Sequence, residues 1–309
     1  MDERLGPRSR RQALRSSLLL LSLCSLACGC AGPRVTSQAP ATLDELLDRG
    51  ARVMWVGAHP DDESLVGPIL AKAGPTLNNP LYFVVLTHGE GGECNLPEGC
   101  HPDVRTVRGG EMREVARLYR AELQLEDYAN APLPVESFPP RHEIARAWLE
   151  QGDPSLRIAR AIRVFQPDVL LTFDPFHGFT GHPEHQLASR FATQAVRTAA
   201  DPAVRIDDLP AFRVENTYYA ANRYWPFVLL SKADPGPYSE TFDARQPCSG
   251  GMNCRQVMAE YTKAHRTQAR DMGSVRRFKW MVDRIYLVRV DPWREILDPL
   301  APVEHGGMN

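Results

Sequence analysis

The chain has 309 residues, of which 43% are hydrophobic, so it is long enough for one large globular domain or two small ones. Its formal net charge is −2 at pH 7, which excludes the strongly basic surface of a typical nucleic-acid-binding protein. We therefore expect no nucleic-acid partner, and any function must be sought in local motifs.

The first thirty residues have the layout of a bacterial export signal. Four arginines within residues 8–15 precede a short apolar core at 18–23, which is too short to span a bilayer. Residues 9–14 also resemble a twin-arginine signal. Residues 26–28 (LAC) resemble a lipoprotein cleavage box, in which Cys28 would carry the lipid; Cys30 and a plain cleaved signal peptide are the alternatives.

This leader predicts a protein exported to the cell envelope or periplasm, whose contact with a membrane is a lipid anchor. Residues 31–42 contain several Ser, Pro and Ala residues and are interpreted as a tether between anchor and domain. The oligomeric state leaves no signature in the sequence.

Four cysteines follow the leader, and they form two pairs that are each separated by five residues. An even number of cysteines in an exported chain favours disulfides, with local pairing of Cys94 to Cys100 and of Cys248 to Cys254. Free thiols and a structural zinc site remain as alternatives.

After the tether, strand-like and helical patterns alternate. The predicted helices cover residues 43–49, 64–73, 105–123, 155–165 and 255–270, with one more opening near Pro183. The predicted strands cover residues 53–56, 81–86, 169–173, 212–220, 227–230 and 284–290, and residues 235–254 are predicted to be a loop. This alternation predicts an α/β three-layer sandwich with a mainly parallel, Rossmann-like sheet, built as a single domain over 43–300 and followed by a tail at 301–309.

Residues 58–63 (AHPDDE) place one imidazole and three carboxylates directly after the first buried strand. Burying that much negative charge is costly unless a cation is bound nearby, and His nitrogen and carboxylate oxygen are ordinary zinc ligands. A solvated acidic turn at a helix start is the alternative.

A second cluster at residues 181–185 (GHPEH) also follows a buried strand, at 169–173. Because ligands of open α/β sheets bind at the carboxyl ends of the strands, we expect both clusters to share one site. A catalytic zinc needs three protein ligands and an open position, which leaves an acid and a histidine for proton transfer.

Together these motifs resemble those of the PIG-L/LmbE family of metal-dependent N-acetylglucosaminyl deacetylases. Three further segments agree with the family, namely residues 86–92, 108–111 and 261–268, so the resemblance covers roughly residues 50–290. Glu184 stands where the family usually has Asp. The insertions at 93–104 and 235–254 lie outside the common pattern and leave substrate recognition open.

The resemblance implies a role for each residue of the two clusters. His59, Asp62 and His185 would bind the metal, which is Zn²⁺ or another divalent ion such as Fe²⁺. Asp61 would be the general base that takes a proton from the attacking water. His182 would stabilise the oxyanion or protonate the departing amine.

Four other polar residues have two interpretations each. Arg108 could bind a substrate oxygen or pair with a buried acid. His265 could line the pocket or lie on a surface helix. Glu63 could support the site or open a helix, and Asp174 could orient a histidine or cap a turn. His88 and His177 are expected to be ordinary loop residues. Trp225, Trp280 and Trp293 could stack on a sugar face, but core positions are expected for them.

The expected function is therefore an exported zinc-dependent hydrolase that removes the N-acetyl group from an N-acetylglucosamine-containing substrate, either a small molecule or a glycan. One alternative is an amidase that cleaves another small amide or a thiol conjugate. Another is a lipoprotein that binds metal and carbohydrate without catalysis.

Overall fold

The computed structural model describes residues 40–132, 137–223, 237–295 and 297–301. The chain divides into two units, residues 1–40 and 41–309. The leader with Cys28, most of the tether, the predicted strand 227–230, Trp225 and all but the first residue of the tail lie outside the described ranges. None of the described helices has the length and hydrophobicity needed to cross a bilayer.

The second unit is built on one seven-stranded sheet. Its strands are β1 (Val53–Gly57), β2 (Leu81–Val85), β3 (Ala121–Leu125), β4 (Val169–Phe173), β5 (Asn216–Ala221), β6 (Glu240–Asp243) and β7 (Arg284–Val290). They lie in the order β3-β2-β1-β4-β5-β7-β6. The first five strands of that order are parallel, whereas β7 is antiparallel to both of its neighbours.

Nine helices or helical turns surround the sheet in the described part of the chain. They are α1 (Leu43–Asp48), α2 (Gly67–Ala71), α3 (Val104–Tyr119), α4 (Arg141–Gln151), α5 (Pro154–Phe165), α6 (Gly178–Gly181), α7 (Pro183–Ala200), α8 (Cys254–Tyr261) and α9 (Ala269–Phe278). Short 3₁₀ and π turns connect several of them. The predicted α/β sandwich with a mainly parallel sheet is confirmed.

The central strands β1 and β4 are buried along their whole length, as expected for strands covered on both faces. Their side chains interlock where Trp55 meets Phe173 edge to face, with ring centroids 5.1 Å apart. Crossovers between parallel strands are almost always right-handed. Because the chain reverses direction across the sheet after β3, this rule assigns α2 and α3 to one face and α5 and α7 to the other.

The predicted helix 105–123 is too long, and the strand that follows it was missed. The helix α3 ends at Tyr119 because Arg120 adopts a left-handed conformation, with φ 59°, and its N–H bonds back to the carbonyl of Ala116. No glycine or proline marks this stop. The strand β3 lies at the sheet edge and is only partly buried, so it carries polar residues and lacks a strand-like hydrophobic pattern.

The C-terminal predictions also need correction. The predicted helix 255–270 ends at Tyr261 and continues as two 3₁₀ turns before α9 begins. The predicted loop 235–254 contains the edge strand β6, and the predicted strand 212–220 begins only at Asn216. Side-chain contacts of His265 and Gln268, described below, account for the interrupted helix.

Two smaller differences lie elsewhere. The predicted helix 64–73 is a 3₁₀ turn at Asp62–Leu65 followed by α2 and a π turn, and α4 was not predicted. The last two residues of the predicted tether, Ala41 and Thr42, are fixed to the domain. Thr42 caps α1, and Arg289 donates a hydrogen bond to the Ala41 carbonyl, at 2.9 Å.

The structure joins Cys94 to Cys100 and Cys248 to Cys254, which is the predicted connectivity. The first disulfide closes a loop that also contains Asn95, whose N–H donates to the carbonyl of Thr267. The second links the turn after β6 to the first residue of α8. Both disulfides therefore lie in the segments that the family pattern does not include.

Candidate functional site

The carboxyl ends of β1 and β4 form a crevice at the centre of the sheet. The two strands are neighbours, but the chain leaves β1 toward β2 and leaves β4 toward β5 on the opposite side. Open α/β sheets bind their ligands at such a reversal. His59 follows β1 directly, and His182 and His185 lie at the start of α7, after β4. The two sequence clusters therefore meet.

Three of the side chains converge on one point. Nε2 of His185 lies 3.0 Å from Oδ1 of Asp62 and 3.1 Å from Nδ1 of His59. Nδ1 of His59 lies 3.6 Å from Oδ2 of Asp62. Ligand atoms about 2.0–2.1 Å from a tetrahedral metal are separated by about 3.4 Å, so these distances fit a shared divalent cation.

Hydrogen bonds from the far side of each imidazole fix this orientation. Nδ1 of His185 lies 2.8 Å from the carbonyl oxygen of Gly178, to which it donates, and this leaves Nε2 free to bind a cation. Gly178 has φ +56°, and a Cβ there would come within 2.9 Å of the His185 Cβ. Nε2 of His59 lies 2.5 Å from Oε2 of Glu184, which leaves Nδ1 free in the same way.

Asp62 is held by the backbone of the preceding loop. Its Oδ2 accepts hydrogen bonds from the N–H groups of Ala58 and His59, each at 2.8 Å. The carboxylate is thus fixed with Oδ1 facing His185. The donor set of two imidazoles and one carboxylate fits zinc or iron(II), whose usual ligands these are.

Glu184 lies at the centre of a buried network. Its Oε2 also accepts from Nδ2 of Asn130, at 2.6 Å, and its Oε1 accepts from the N–H of Ala131, at 2.8 Å. The carboxylate therefore ties the loop after β3 to α7 and orients His59. In the sequence, the position of Glu184 between His182 and His185 is the feature that could have indicated this role.

Replacing Glu184 by Gln is expected to lower metal affinity 10- to 100-fold, since partners that orient metal ligands have effects of this size. The new amide would point a donor at His59 and Asn130, which already donate. Competition against a fluorescent chelator measures the affinity. The matched control is Glu126→Gln, because Glu126 directly follows the edge strand β3 and pairs with Arg157. Wild-type affinity in Glu184→Gln would show that the charge at this position is dispensable.

The electrostatics of the cluster favour positive charge. Burial by itself lowers the pKa of His59, but the neighbouring Asp62 and Glu184 carboxylates outweigh it and raise that pKa to about 10. Burial by itself raises the pKa of Asp62, but the charges of His185 and His59 and their hydrogen bonds hold it well below its usual range. The acids of the crevice would thus stabilise a cation placed where Nε2 of His185, Nδ1 of His59 and Oδ1 of Asp62 converge.

His182 caps α7 and faces the same crevice. Its Nδ1 accepts a hydrogen bond from the N–H of Glu184, at 3.2 Å, so in the neutral ring Nε2 carries the proton. Burial, and then the nearby charges of His59 and His185, lower its pKa. Its ring stacks on that of His185 at a centroid distance of 4.8 Å, and ring nitrogens of His59, His182 and His185 all lie within 4.8 Å of one another.

Asp61 has a strained backbone, with φ 110°. Its N–H donates to Oε2 of Glu63, at 3.1 Å, and its Oδ2 accepts from Nε2 of Gln268, which also donates to the carbonyl of Pro60 at 3.1 Å. Burial, and then the charge of Asp62, raise the pKa of Asp61 to about 7. Asp61 lines the same cavity as His59, Asp62 and His185.

Glu63 and His265 form a fully buried pair, with Nε2 of His265 2.9 Å from Oε1 of Glu63. Burial by itself lowers the pKa of His265, but Glu63 raises it above its ordinary value. His265 therefore does not line the cavity or lie on a surface helix, as the sequence suggested, but supports Glu63. Through Glu63 it holds the backbone of Asp61.

Replacing His265 by Ala is expected to destabilise the fold by about 3–5 kcal/mol, because a buried carboxylate loses its partner. Urea unfolding measures this, with the exposed His101→Ala as control. The double variant Glu63→Met/His265→Leu should recover much of the stability, since it removes both charges. If the double variant is no more stable than His265→Ala, then the lost ion pair is not the cause.

Arg108 faces the cavity from α3. Its Nη2 donates to the carbonyl of Glu93, at 2.9 Å, and its Nε has no hydrogen-bond partner among the described residues. No acid of the described chain forms an ion pair with it, so the alternative of a buried pair is not what the structure contains. A Cβ on Gly92 would come within 2.5 Å of Nη2, so the glycine-rich loop wraps the guanidinium closely.

The other candidates lie away from the convergence point. Asp174 hydrogen-bonds Nδ1 of His177, at 2.7 Å, and also caps the turn at Phe176, so both of its expected roles are present. His88 contacts Asp127, at 2.9 Å. The core role expected for Trp280 and Trp293 is wrong, because their side chains are 64% and 39% exposed.

The crevice opens into a cavity of about 1000 Å³. His59, Asp61, Asp62, His182 and His185 line one end of it, and Arg108, Asn130 and Gln268 lie nearby. Sequence reasoning missed Asn130 and the contact of Gln268 with Asp61. Both residues come from loops far from the two motifs, and only the fold brings them to the site.

Comparison with known proteins gives a consistent picture. The family model described as PIG-L, GlcNAc-PI de-N-acetylase, matches residues 54–196. A 1D-myo-inositol 2-acetamido-2-deoxy-alpha-D-glucopyranoside deacetylase of Thermobifida fusca is 30% identical over 206 residues, which are 61% of this chain and 69% of that protein. A deacetylase of the same name from a Nocardioides species is 30% identical over 192 residues. The chain spans 62% of that relative's length, and the match covers 55% of this chain.

Solved structures share the fold at low sequence identity. The N,N'-diacetylchitobiose deacetylase of Pyrococcus horikoshii superposes with a TM-score of 0.56 at 15% identity, covering 82% of this chain and 91% of that one. The 4-carboxy-2-hydroxymuconate hydratase of Pseudomonas putida superposes with a TM-score of 0.54 at 16% identity, covering 78% and 97%. Because a deacetylase and a hydratase share this fold, the fold does not identify the reaction, which must be argued from the residues of the site.

Proposed function

The chain belongs to the PIG-L family, and from that premise we propose that it is a metal-dependent hydrolase that removes the acetyl group from an N-acetylglucosamine-containing substrate. The observation that carries this proposal is the convergence of His59, Asp62 and His185 on one point, beside Asp61 and His182 in an open cavity. A protein that only bound a metal would not need Asp61 and His182 at the cavity wall.

We propose that His59, Asp62 and His185 hold the metal, with zinc as the leading candidate and iron(II) as the alternative. The bound ion would supply Lewis-acid activation of water and of the amide carbonyl. Nε2 of His185, Nδ1 of His59 and Oδ1 of Asp62 support this assignment, because they face one another while the other polar atoms of these side chains have partners elsewhere.

Asp61 is proposed as the general base. Its carboxylate lines the cavity, and Gln268 and Glu63 fix it from two sides, so it can take a proton from the attacking water without reorganising. His182 is proposed to act on the other side of the amide. Its Nε2–H can donate a hydrogen bond to the developing oxyanion. The proton that Asp61 takes from the water can then pass to the leaving amine, which departs poorly unless protonated.

The substrate is proposed from the curated relatives, which are named as deacetylases of an N-acetylglucosamine linked to inositol. Arg108 supports a hydroxylated substrate, because its side chain lines the cavity and forms no ion pair with an acid of the described residues. A bidentate cation of this kind suits sugar oxygens or an attached anion.

We further propose that the protein acts outside the cytoplasm, anchored through Cys28. The leader supports this, and so do the two disulfides, which persist in oxidising compartments. Labelling with a radioactive fatty acid that disappears in Cys28→Ala, together with membrane fractionation, tests the anchor.

Acetate release from a panel of N-acetylglucosamine derivatives tests the proposed reaction. We expect activity in the protein loaded with zinc or iron(II), and we expect free amine and acetate in equal amounts. Release of amine from other small amides or thiol conjugates, with no reaction of the sugars, would favour the amidase alternative. Binding of sugars without any turnover would favour a non-catalytic lipoprotein.

A further inference from the structure

The cavity has two chemically different ends. Polar groups line the end at His59, Asp62 and His185, whereas the side chains of α9 and of the turn that follows it form a mostly apolar wall, in which Asp271 and Ser274 are the polar members. We call the apolar part of this wall, made of Met272, Val275, Phe278, Trp280, Met281 and Val282, the α9 wall.

The α9 wall begins at the catalytic end and leads away from it. Gln268, which contacts Asp61, directly precedes α9, and Phe278 ends the helix. Six helical steps separate Met272 from Phe278, which is a rise of about 9 Å along the axis of α9. Met272, Val275 and Phe278 recur every three residues, which places them on one side of the helix.

The outer part of this wall is exposed although it is strongly apolar. Phe278 and Trp280 are 49% and 64% exposed. The backbone at Trp280 is nevertheless fixed, because Arg255 donates to its carbonyl at 2.9 Å and pairs with Asp283 at 2.6 Å. Exposed aromatic side chains at a cavity mouth are typical of a surface that an apolar ligand covers.

We propose that the substrate carries an apolar group, such as an alkyl chain or an aryl ring, attached to its acetamido sugar and bound along the α9 wall. This inference rests on the proposed deacetylation. The proposed substrate differs from that of the curated relatives, whose names specify a sugar linked to the polar inositol ring. The cavity volume supports it, since about 1000 Å³ is at the upper end of the range for drug-sized ligands and exceeds what one sugar fills. The methionines of the wall suit a ligand of irregular apolar shape.

The test compares methyl and octyl glycosides of N-acetylglucosamine as substrates, below the concentration at which the octyl glycoside forms micelles. Each buried methylene contributes roughly four-fold to affinity, so burial of only two of the additional seven predicts a kcat/KM at least ten-fold higher for the octyl glycoside. In the double variant Phe278→Ser/Trp280→Ser this ratio should fall to below three. Calorimetric titration with the octyl glycoside of glucosamine, the expected product, provides a readout that does not depend on turnover.

Phe176→Ser and Trp293→Ser are matched controls, because both side chains are exposed aromatics that do not line the cavity. Their octyl-to-methyl ratio should equal that of the wild type. Equal kcat/KM for the two glycosides, or a high ratio that survives in the double variant, would overturn the inference and leave deacetylation intact. If neither glycoside releases acetate, the proposed function itself fails, and the inference fails with it.

Discussion

Asp61→Asn is expected to lower kcat for acetate release by about 10²–10⁴-fold, while metal affinity stays within a factor of three of the wild type. The size of the loss is that of a missing general base. Asn is the appropriate replacement because it has the same shape and, like Asp, tolerates the left-handed backbone, with φ 110° at this position. The fold and the neighbouring Asp62 should therefore be undisturbed. Single-turnover acetate release and chelator competition measure the two quantities.

Asp174→Asn is the matched control for this prediction. Asp174 also follows a central strand, but it contacts His177 and the Phe176 turn and is not part of the convergence point. Its replacement should leave kcat within a factor of three. Turnover like the wild type in Asp61→Asn would remove Asp61 from the role of base and leave His182 as the remaining proton-transfer group.

Removal of divalent metal is expected to abolish acetate release and to lower the midpoint of thermal unfolding. Activity should be lost because the proposed reaction needs the cation that His59, Asp62 and His185 are proposed to hold. Stability should fall because a ligand that binds the native state at 1,000 times its Kd stabilises it by about 4 kcal/mol. Dialysis against a chelator, followed by addition of zinc or iron(II), tests both effects and identifies the metal that restores more activity.

His185→Ala provides the comparison for the metal dependence. This variant lacks one ligand, so its unfolding midpoint should no longer rise when metal is added. In His88→Ala the midpoint should still rise, because His88 contacts Asp127 and lies outside the cluster. Full acetate release after exhaustive chelation would contradict a metal-dependent reaction.

The meeting of the two histidine clusters could be predicted from the sequence, because each follows a fully buried strand and parallel strands end at one edge of a sheet. The order of β1 and β4 in the sheet was not needed for that step. By contrast, β3 and β6 could not be found. Both are edge strands, and their partial exposure removes the hydrophobic pattern on which sequence reasoning depends.

The interrupted helix at residues 262–268 illustrates a second limit. Nothing in the local sequence stops a helix there, and no glycine or proline occurs within those residues. The interruption brings His265 to Glu63 and Gln268 to Asp61, both some 200 residues earlier in the chain. Contacts over such a distance override local helix propensity, so the support of Asp61 was visible only in the folded chain.

The interrupted segment lies in the sequence between the residues proposed to act on the acetyl group and the α9 wall. The proposed metal ligands and proton-transfer groups all lie within residues 54–196, the part that matches the family model, whereas the α9 wall lies entirely beyond it. Substitutions in the wall can thus accumulate without touching the residues that act on the acetyl group. A lineage could in this way acquire a new acetylated compound while its bond-breaking apparatus stayed the same.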